Sequence, residues 1–201
     1  MNPLPGHPNS TRIRRGALAL LAWLAAASGM GAPTSIVVTL DDNYPPYVFR
    51  DAEGTLKGIL PDQWSLWEKK TGAKVDLRAM DWVEAQRFMR EGHADVIDTI
   101  FLTEERAKIY DFTPPYAQIE VPVFAHETLG GIADISSLKG FTVGVKAGDA
   151  VVEFLATNGI DSLKEYPSYE AIVLAAKNQE IKIFSVDKPA AVYFMYKHGI
   201  A

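Results

Sequence analysis

The stretch from residue 95 to residue 116, DVIDTIFLTEERAKIYDFTPPY, decides how the rest of the chain is read, because it sets one arginine where a strand gives way to a helix. Residues 95–100 predict a short buried strand. Thr103 is placed to cap a helix, and Glu104 and Glu105 are acids of its first turn, where the helix dipole favours negative charge. Arg106 follows on that turn. Held there by its neighbours, its guanidinium offers a planar fork of N–H donors beside a strand end, a geometry that grips a carboxylate through two parallel hydrogen bonds. The alternative is a surface arginine paired with Glu104, Glu105 or Asp111, an arrangement that is common and weak.

Outward from this stretch, strands and helices alternate from Ser35 onward, which predicts an α/β fold with largely parallel sheets. Residues 35–40, SIVVTL, form the first strand, and a turn built on Asp51 and Gly54 comes after it. Leu60, Trp64 and Trp67 recur at helical spacing as core residues, with Lys69 and Lys70 in the last turn and Gly72 placed to stop the helix. Val75, Leu77 and Ala79 alternate as a strand. Asp81 with Glu84 then starts a helix in the manner of a capping box, carrying Ala85, Phe88 and Met89 to a stop at Gly92. Beyond Tyr116, the alternating Ile119, Val121, Val123 and Ala125 predict a strand, and residues 141–145 another. Gly148 is a tight turn, and residues 150–157 are a helix burying Val151, Phe154 and Leu155. Ser168 caps a helix with Ile172, Val173 and Ala176 inward, residues 181–186 are a buried strand, and Pro189 opens a final helix through Tyr193 and Tyr196.

Of the 201 residues, 48% are hydrophobic and 22% charged, enough for one large domain or two small lobes. Residues 1–32 stand apart. Arg12, Arg14 and Arg15 precede an apolar run at residues 17–27, and small residues continue to position 32, the order of a secretory signal peptide. Cleavage is expected between residues 27 and 32, with an uncleaved membrane tether as the alternative. There is no cysteine, so an exported protein must be held together by its core, which fits the periplasm. The formal charge is −5, and the leader carries three arginines and no acid, so the body is more acidic still. Such a body excludes a nucleic-acid partner, whose phosphates demand a basic footprint. His93, His126 and His198 are scattered, giving little support to a metal centre or a catalytic triad, and no cofactor is expected. The spacing from Gly144 to Gly148 is not a phosphate loop, for no Lys-Ser or Lys-Thr pair comes next.

The Thr103-x-x-Arg106 run, with Asp111-Phe112-Thr113-Pro114-Pro115-Tyr116 five residues on, resembles the signature of the family 3 extracellular solute-binding proteins. The likeness runs from about Ser35 to the end of the chain. It implies a two-lobe periplasmic binding protein fold of type II, with polar amino acids as usual ligands, lobe 1 at residues 33–116 and lobe 2 at residues 117–201. In that family the chain crosses back from lobe 2 to finish lobe 1. Ala201 lies before that return, so the fold is expected to be truncated, with lobe 2 incomplete and apolar surface exposed.

The same resemblance implies a set of ligand contacts. Arg106 would clamp the ligand's carboxylate, and Asp187, in SVDKP at the carboxyl end of its strand, would receive the ligand's ammonium. In Asp41-Asp42-Asn43-Tyr44-Pro45-Pro46-Tyr47, Tyr44 would stack on the ligand side chain and Asp41 would meet a cationic ligand group. Tyr47 either joins it or packs on its own lobe, and the prolines stiffen the loop. Thr99 fits the family's small or hydroxyl residue at its strand end. Asp98 departs from that pattern, and either pairs with Arg106 or meets a second ligand cation. In Lys146-Ala147-Gly148-Asp149-Ala150, Gly148 makes a turn that opens a helix whose free N–H groups favour an anion. Asp149 stands where the family has threonine or serine. It either caps the helix or marks a ligand whose acid sits on Arg106 alone.

These contacts imply a small-molecule binder that closes two lobes around a zwitterion such as an amino acid. Its output is delivery to an ABC permease or signalling through a fused transmembrane domain; DVIDTIFLTEER, VKAGDA and DKPAAVYFMYKHGI look closer to sensor modules. The competing class is a dehydratase-like enzyme on the same scaffold, for which Asp98 or Glu104 would be the general acid. A third reading is a remnant that binds nothing.

Overall fold

The computed structural model describes residues 34–200, so the predicted signal peptide at residues 1–32 lies outside the described residues. In chain order the first half runs β1 (Ser35–Asp41), β2 (Asn43–Tyr44), β3 (Val48–Arg50), β4 (Leu56–Lys57), α1 (Ile59–Thr71), β5 (Lys74–Met80), α2 (Trp82–Arg90) and β6 (Val96–Ile97). β1 is its spine. Val38, Thr39 and Leu40 are all fully buried, as a strand covered on both faces requires. It pairs in parallel with β5 on one side and β6 on the other, while β2, β3 and β4 form a small antiparallel meander. The second half runs β7 (Val123–Ala125), β8 (Val143–Lys146), α3 (Ala150–Thr157), β9 (Leu163–Tyr166), α4 (Tyr169–Lys177), β10 (Ile183–Ser185) and α5 (Lys188–His198). Its sheet has the order β7-β10-β8-β9, parallel except for β7.

Local chemistry sets most element ends as expected. Gly72 takes the left-handed conformation that ends α1, its N–H donating to Glu68 O at 2.9 Å. The Asp81 side chain caps α2 by accepting from Val83 N and Glu84 N, though the Glu84 carboxylate turns to Arg87 and leaves the capping box half made. Ser168 caps α4 through Ala171 N.

Four expectations need correction. The strand predicted at residues 95–100 is only β6, because the Asp98 side chain accepts from Thr99 N at 2.7 Å and Thr99 turns to φ 61, diverting the backbone from the ladder. Thr103 does accept from Arg106 N, at 3.2 Å, but what it caps is one 3-10 turn, Arg106–Lys108. The strand predicted through Ile119 and Val121 begins only at Val123, since Pro122 has no N–H to donate. Trp67 and Phe154, predicted as core, are 36% and 53% exposed. Trp67 leans edge-on against Trp64 from outside, and α3 spends its inward face on Leu155.

One buried cluster joins both halves. Val38, Leu40, Tyr44, Val48 and Leu60 from the first pack with Tyr169, Ile172, Val186 and Phe194 from the second. Phe49 meets Tyr193 at 6.1 Å and Tyr44 meets Tyr169 at 5.6 Å between ring centres. Each such large apolar side chain contributes about 1.5–3 kcal/mol by leaving water. A second cluster around Leu138, Val145, Leu155 and Ile183 belongs to the second half alone.

The loop that carries Tyr44 and Tyr47 is fastened from below by the start of α1, where Ile59 N and Leu60 N donate to Pro46 O and Tyr47 O. That approach depends on Gly58. Its φ is 122, and a Cβ there would lie 2.3 Å from Tyr47 O. Gly58→Ala is therefore expected to lower unfolding stability by at least about 1–3 kcal/mol, the range for a strained backbone position. Urea denaturation measures it, and an unchanged midpoint would contradict the account.

Candidate ligand-binding cleft

The carboxyl ends of the parallel strands in both sheets face one gap, the place where open α/β sheets put their functional groups. β1 ends on Asp41, β5 hands over to Trp82 at the start of α2, and β6 leads into Asp98 and Thr99. From the other sheet β8 ends on Lys146 and β10 leads into Asp187. The gap is lined by Asp41, Tyr44, Trp82, Thr99, Phe101, Arg106, Asp149, Ala150, Tyr169 and Asp187, and encloses about 20 Å³. Two larger hollows of about 430 and 350 Å³ adjoin it, both walled mainly by apolar side chains. Tyr47 faces the smaller of these, with its ring 4.9 Å from that of Tyr44.

Charges from the two halves meet inside. Lys146, 1% exposed, forms a buried ion pair with Asp41 across the gap, its ammonium 4.6 Å from the centre of the Tyr169 ring and 6.0 Å from that of Trp82. The Tyr44 hydroxyl donates to Asp187 Oδ2 at 2.5 Å. Neither Lys188 nor the start of α5 claims Asp187: Lys188 pairs with Glu120, and the Asp187 side chain makes no cap bond. Burial pushes Asp187 above the usual carboxylate range, against the pull of the Tyr44 hydroxyl and Lys146.

Arg106 points into the gap. One guanidinium nitrogen donates to Phe101 O at 3.0 Å and another to Gly148 O at 2.9 Å. The Gly148 carbonyl also accepts from Trp82 Nε1 and Gln86 Nε2, both at 3.1 Å, so three donors from the first half converge on one oxygen of the second. The φ of 74 at Gly148 favours glycine, and an added Cβ, 2.7 Å from Gln86 Nε2, would press that amide off the carbonyl. Loss of hydration lowers the Arg106 pKa, opposed by the charges of Asp149 and Glu153.

Two sequence expectations are corrected by this geometry. Asp98 does not pair with Arg106 and does not line the gap: its oxygens accept from Trp64 Nε1 at 2.7 Å, the Tyr116 hydroxyl at 2.5 Å and Thr99 N. Asp149 holds the N-cap position of α3 but makes no side-chain cap bond, because the buried Tyr169 hydroxyl takes its Oδ2 at 2.7 Å. Asp41, Tyr44, Thr99, Arg106, Asp149 and Asp187 all line the gap, and Gly148 stands at its edge through its carbonyl. Lys146, Trp82, Phe101 and Tyr169 were given no place in the site by the sequence reading. Only the charged residue in an otherwise apolar strand, VGVK, hinted at the first.

Burial pushes the Asp149 carboxyl up to about 7, with Asp187 and Asp41 adding to the rise and Lys146 and Tyr169 opposing it. An acid whose folded pKa exceeds its unfolded value holds its proton more tightly when folded. Its stabilising contribution is complete below the ordinary carboxylate range near pH 4 and is lost as pH rises through 7. Asp149→Asn, which keeps an acceptor for Tyr169, is expected to be more stable than wild type at pH 8 by about 1–3 kcal/mol and to flatten the decline between pH 5 and 8. Urea unfolding across that range checks it; equal slopes would refute the assignment.

Residues 36–179 match the family model of the bacterial extracellular solute-binding proteins, family 3. The L-cystine-binding protein TcyJ of Escherichia coli (strain K12) is 29% identical over 131 residues, 63% of this chain and 49% of that protein. The chain thus spans about half the length of the curated relatives it matches. Among solved structures, a histidine kinase sensor domain with similarity to periplasmic binding proteins aligns with a TM-score of 0.78 at 26% identity, covering 83% of this chain and 74% of that one. An ancestral arginine-binding protein bound to arginine aligns with a TM-score of 0.73 at 25% identity, covering 84% and 76%. The α/β architecture is that of the two-lobe periplasmic binding proteins, and the chain belongs to the bacterial extracellular solute-binding proteins, family 3.

Proposed function

We propose that the gap between the two sheets binds a small zwitterionic solute of the amino-acid class, with Arg106 taking its carboxylate and Asp187 its ammonium. The observation that carries this reading is the arrival of the Arg106 guanidinium from the first half and the Asp187 carboxylate from the second at a single gap. Tyr44, Thr99 and Gly148 shape the contact, and Tyr47 borders the route a side chain would take. At about 20 Å³ the gap holds no more than a water molecule, so a solute enters by parting the lobes and is retained as they close over it. We place the lobe division near Tyr116, where residues 110–122 run without regular structure before β7.

The chain acts as a binding module without turnover, exported through the leader at residues 1–32 and working in the periplasm. Its output is either a fused transmembrane signalling domain or an ABC permease. The likeness to a histidine kinase sensor domain favours the first. Family membership and the names of the relatives, which bind cystine or arginine, support an amino-acid ligand.

A thermal-shift screen of the full chain against the standard amino acids tests the reading, with titration calorimetry of the best ligand as the second step. Each charge-assisted contact is worth about 1.5–3 kcal/mol, so Arg106→Ala and Asp187→Ala are each expected to weaken binding by about 10- to 100-fold. Binding that survives both substitutions unchanged would place the ligand elsewhere.

A further inference from the structure

The gap contains more ionisable groups than a zwitterion needs. Asp41, Asp149 and Asp187 face Lys146 and Arg106, with Glu153 acting on Arg106 from α3. Lys146 is committed: it is sealed from water, bound to Asp41, and its ammonium lies over the Tyr169 ring. Its removal from Asp41 would leave a buried ammonium without an ion partner and a buried carboxylate with only the Asn43 N–H to answer it. If the reading of the gap as an amino-acid site holds, a solute carboxylate on Arg106 and a solute ammonium on Asp187 complete two further pairs. Asp149 is then the one remaining acid. Its carboxyl accepts from the Tyr169 hydroxyl, and burial pushes it up to about 7, so near neutral pH it carries only part of a charge. The full charges in the gap are then matched, and a further positive group on the solute would meet Lys146 and Arg106, of its own sign, with only the part-ionised Asp149 to oppose them.

We propose that Lys146 sets the charge preference of the cleft. By holding Asp41 from the opposite sheet, it withdraws the one carboxylate of the first lobe that would receive a cationic side chain, so the cleft takes amino acids with uncharged side chains and rejects lysine and arginine. The inference rests on the amino-acid reading of the gap and adds to it a selecting residue and a narrower ligand class.

Titration calorimetry of the full chain with the uncharged amino acids, glutamate, lysine and arginine tests it on wild type, Lys146→Met, Asp41→Asn and the double variant. Wild type is expected to bind its best uncharged ligand at least tenfold more tightly than lysine or arginine. Lys146→Met leaves Asp41 unpaired and should reverse that ratio by at least tenfold. Asp41→Asn leaves Lys146 alone and should move the preference toward glutamate. The double variant, which removes both charges together and is the best tolerated, should return to uncharged ligands. If one single variant fails to fold, the other and the double variant still give opposite expectations. Tighter wild-type binding of lysine or arginine, or a charge preference that no folded variant moves, overturns the role of Lys146 while leaving the amino-acid site intact. No binding of any amino acid by any of the proteins overturns the amino-acid reading and this inference with it.

Discussion

The buried pair between Asp41 and Lys146 is the constraint around which the two halves are arranged. Removing either charge from water costs several kcal/mol, and the pair is tolerable because the partner, the Asn43 N–H on Asp41 and the face of Tyr169 replace the lost hydration. Both residues close central strands of their sheets, Asp41 on β1 and Lys146 on β8. The pair therefore ties the carboxyl end of one sheet to that of the other. A shift of either strand by one residue would turn its charge toward the opposite, apolar face, so the pair also fixes register.

Aromatic rings mediate between this polar centre and the apolar core. Tyr44 and Tyr169 pack their bodies into the cluster shared by both halves and send their hydroxyls to Asp187 and Asp149. Area supplies the attraction, and the hydroxyl supplies direction. The Gly148 carbonyl does for the backbone what these hydroxyls do for side chains, gathering Trp82, Gln86 and Arg106 onto a single acceptor. Glycine at that turn is thus a requirement of the interface as much as of the turn itself.

The order of strands and helices was readable because its signals are local. The VVTL run of β1, Gly72 after α1, Asp81 before α2 and Ser168 before α4 each act within a few residues. Arg106 and Asp187 were readable through the motif that surrounds them. What the sequence concealed was the choice of partner. Asp98 and Asp149 each had a plausible neighbour in Arg106 or a helix N–H, yet took Trp64 with Tyr116 and Tyr169, residues 34, 18 and 20 positions away. Lys146 was hidden for the same reason, since its partner lies 105 residues earlier. Strand lengths failed where the Asp98 side chain takes the adjacent Thr99 N–H and where Pro122 has none to give, local interruptions that a pattern of alternating apolar residues does not register.

The separation between Asp41 and Lys146 also orders events during biosynthesis. As the ribosome releases the chain from its amino end, β1 emerges with a carboxylate destined for the interior, and more than a hundred residues must be added before its counter-charge exists. Until then only water and the neighbouring Asn43 N–H can satisfy that group, so the carboxyl end of β1 is sealed from water only once the second sheet is in place.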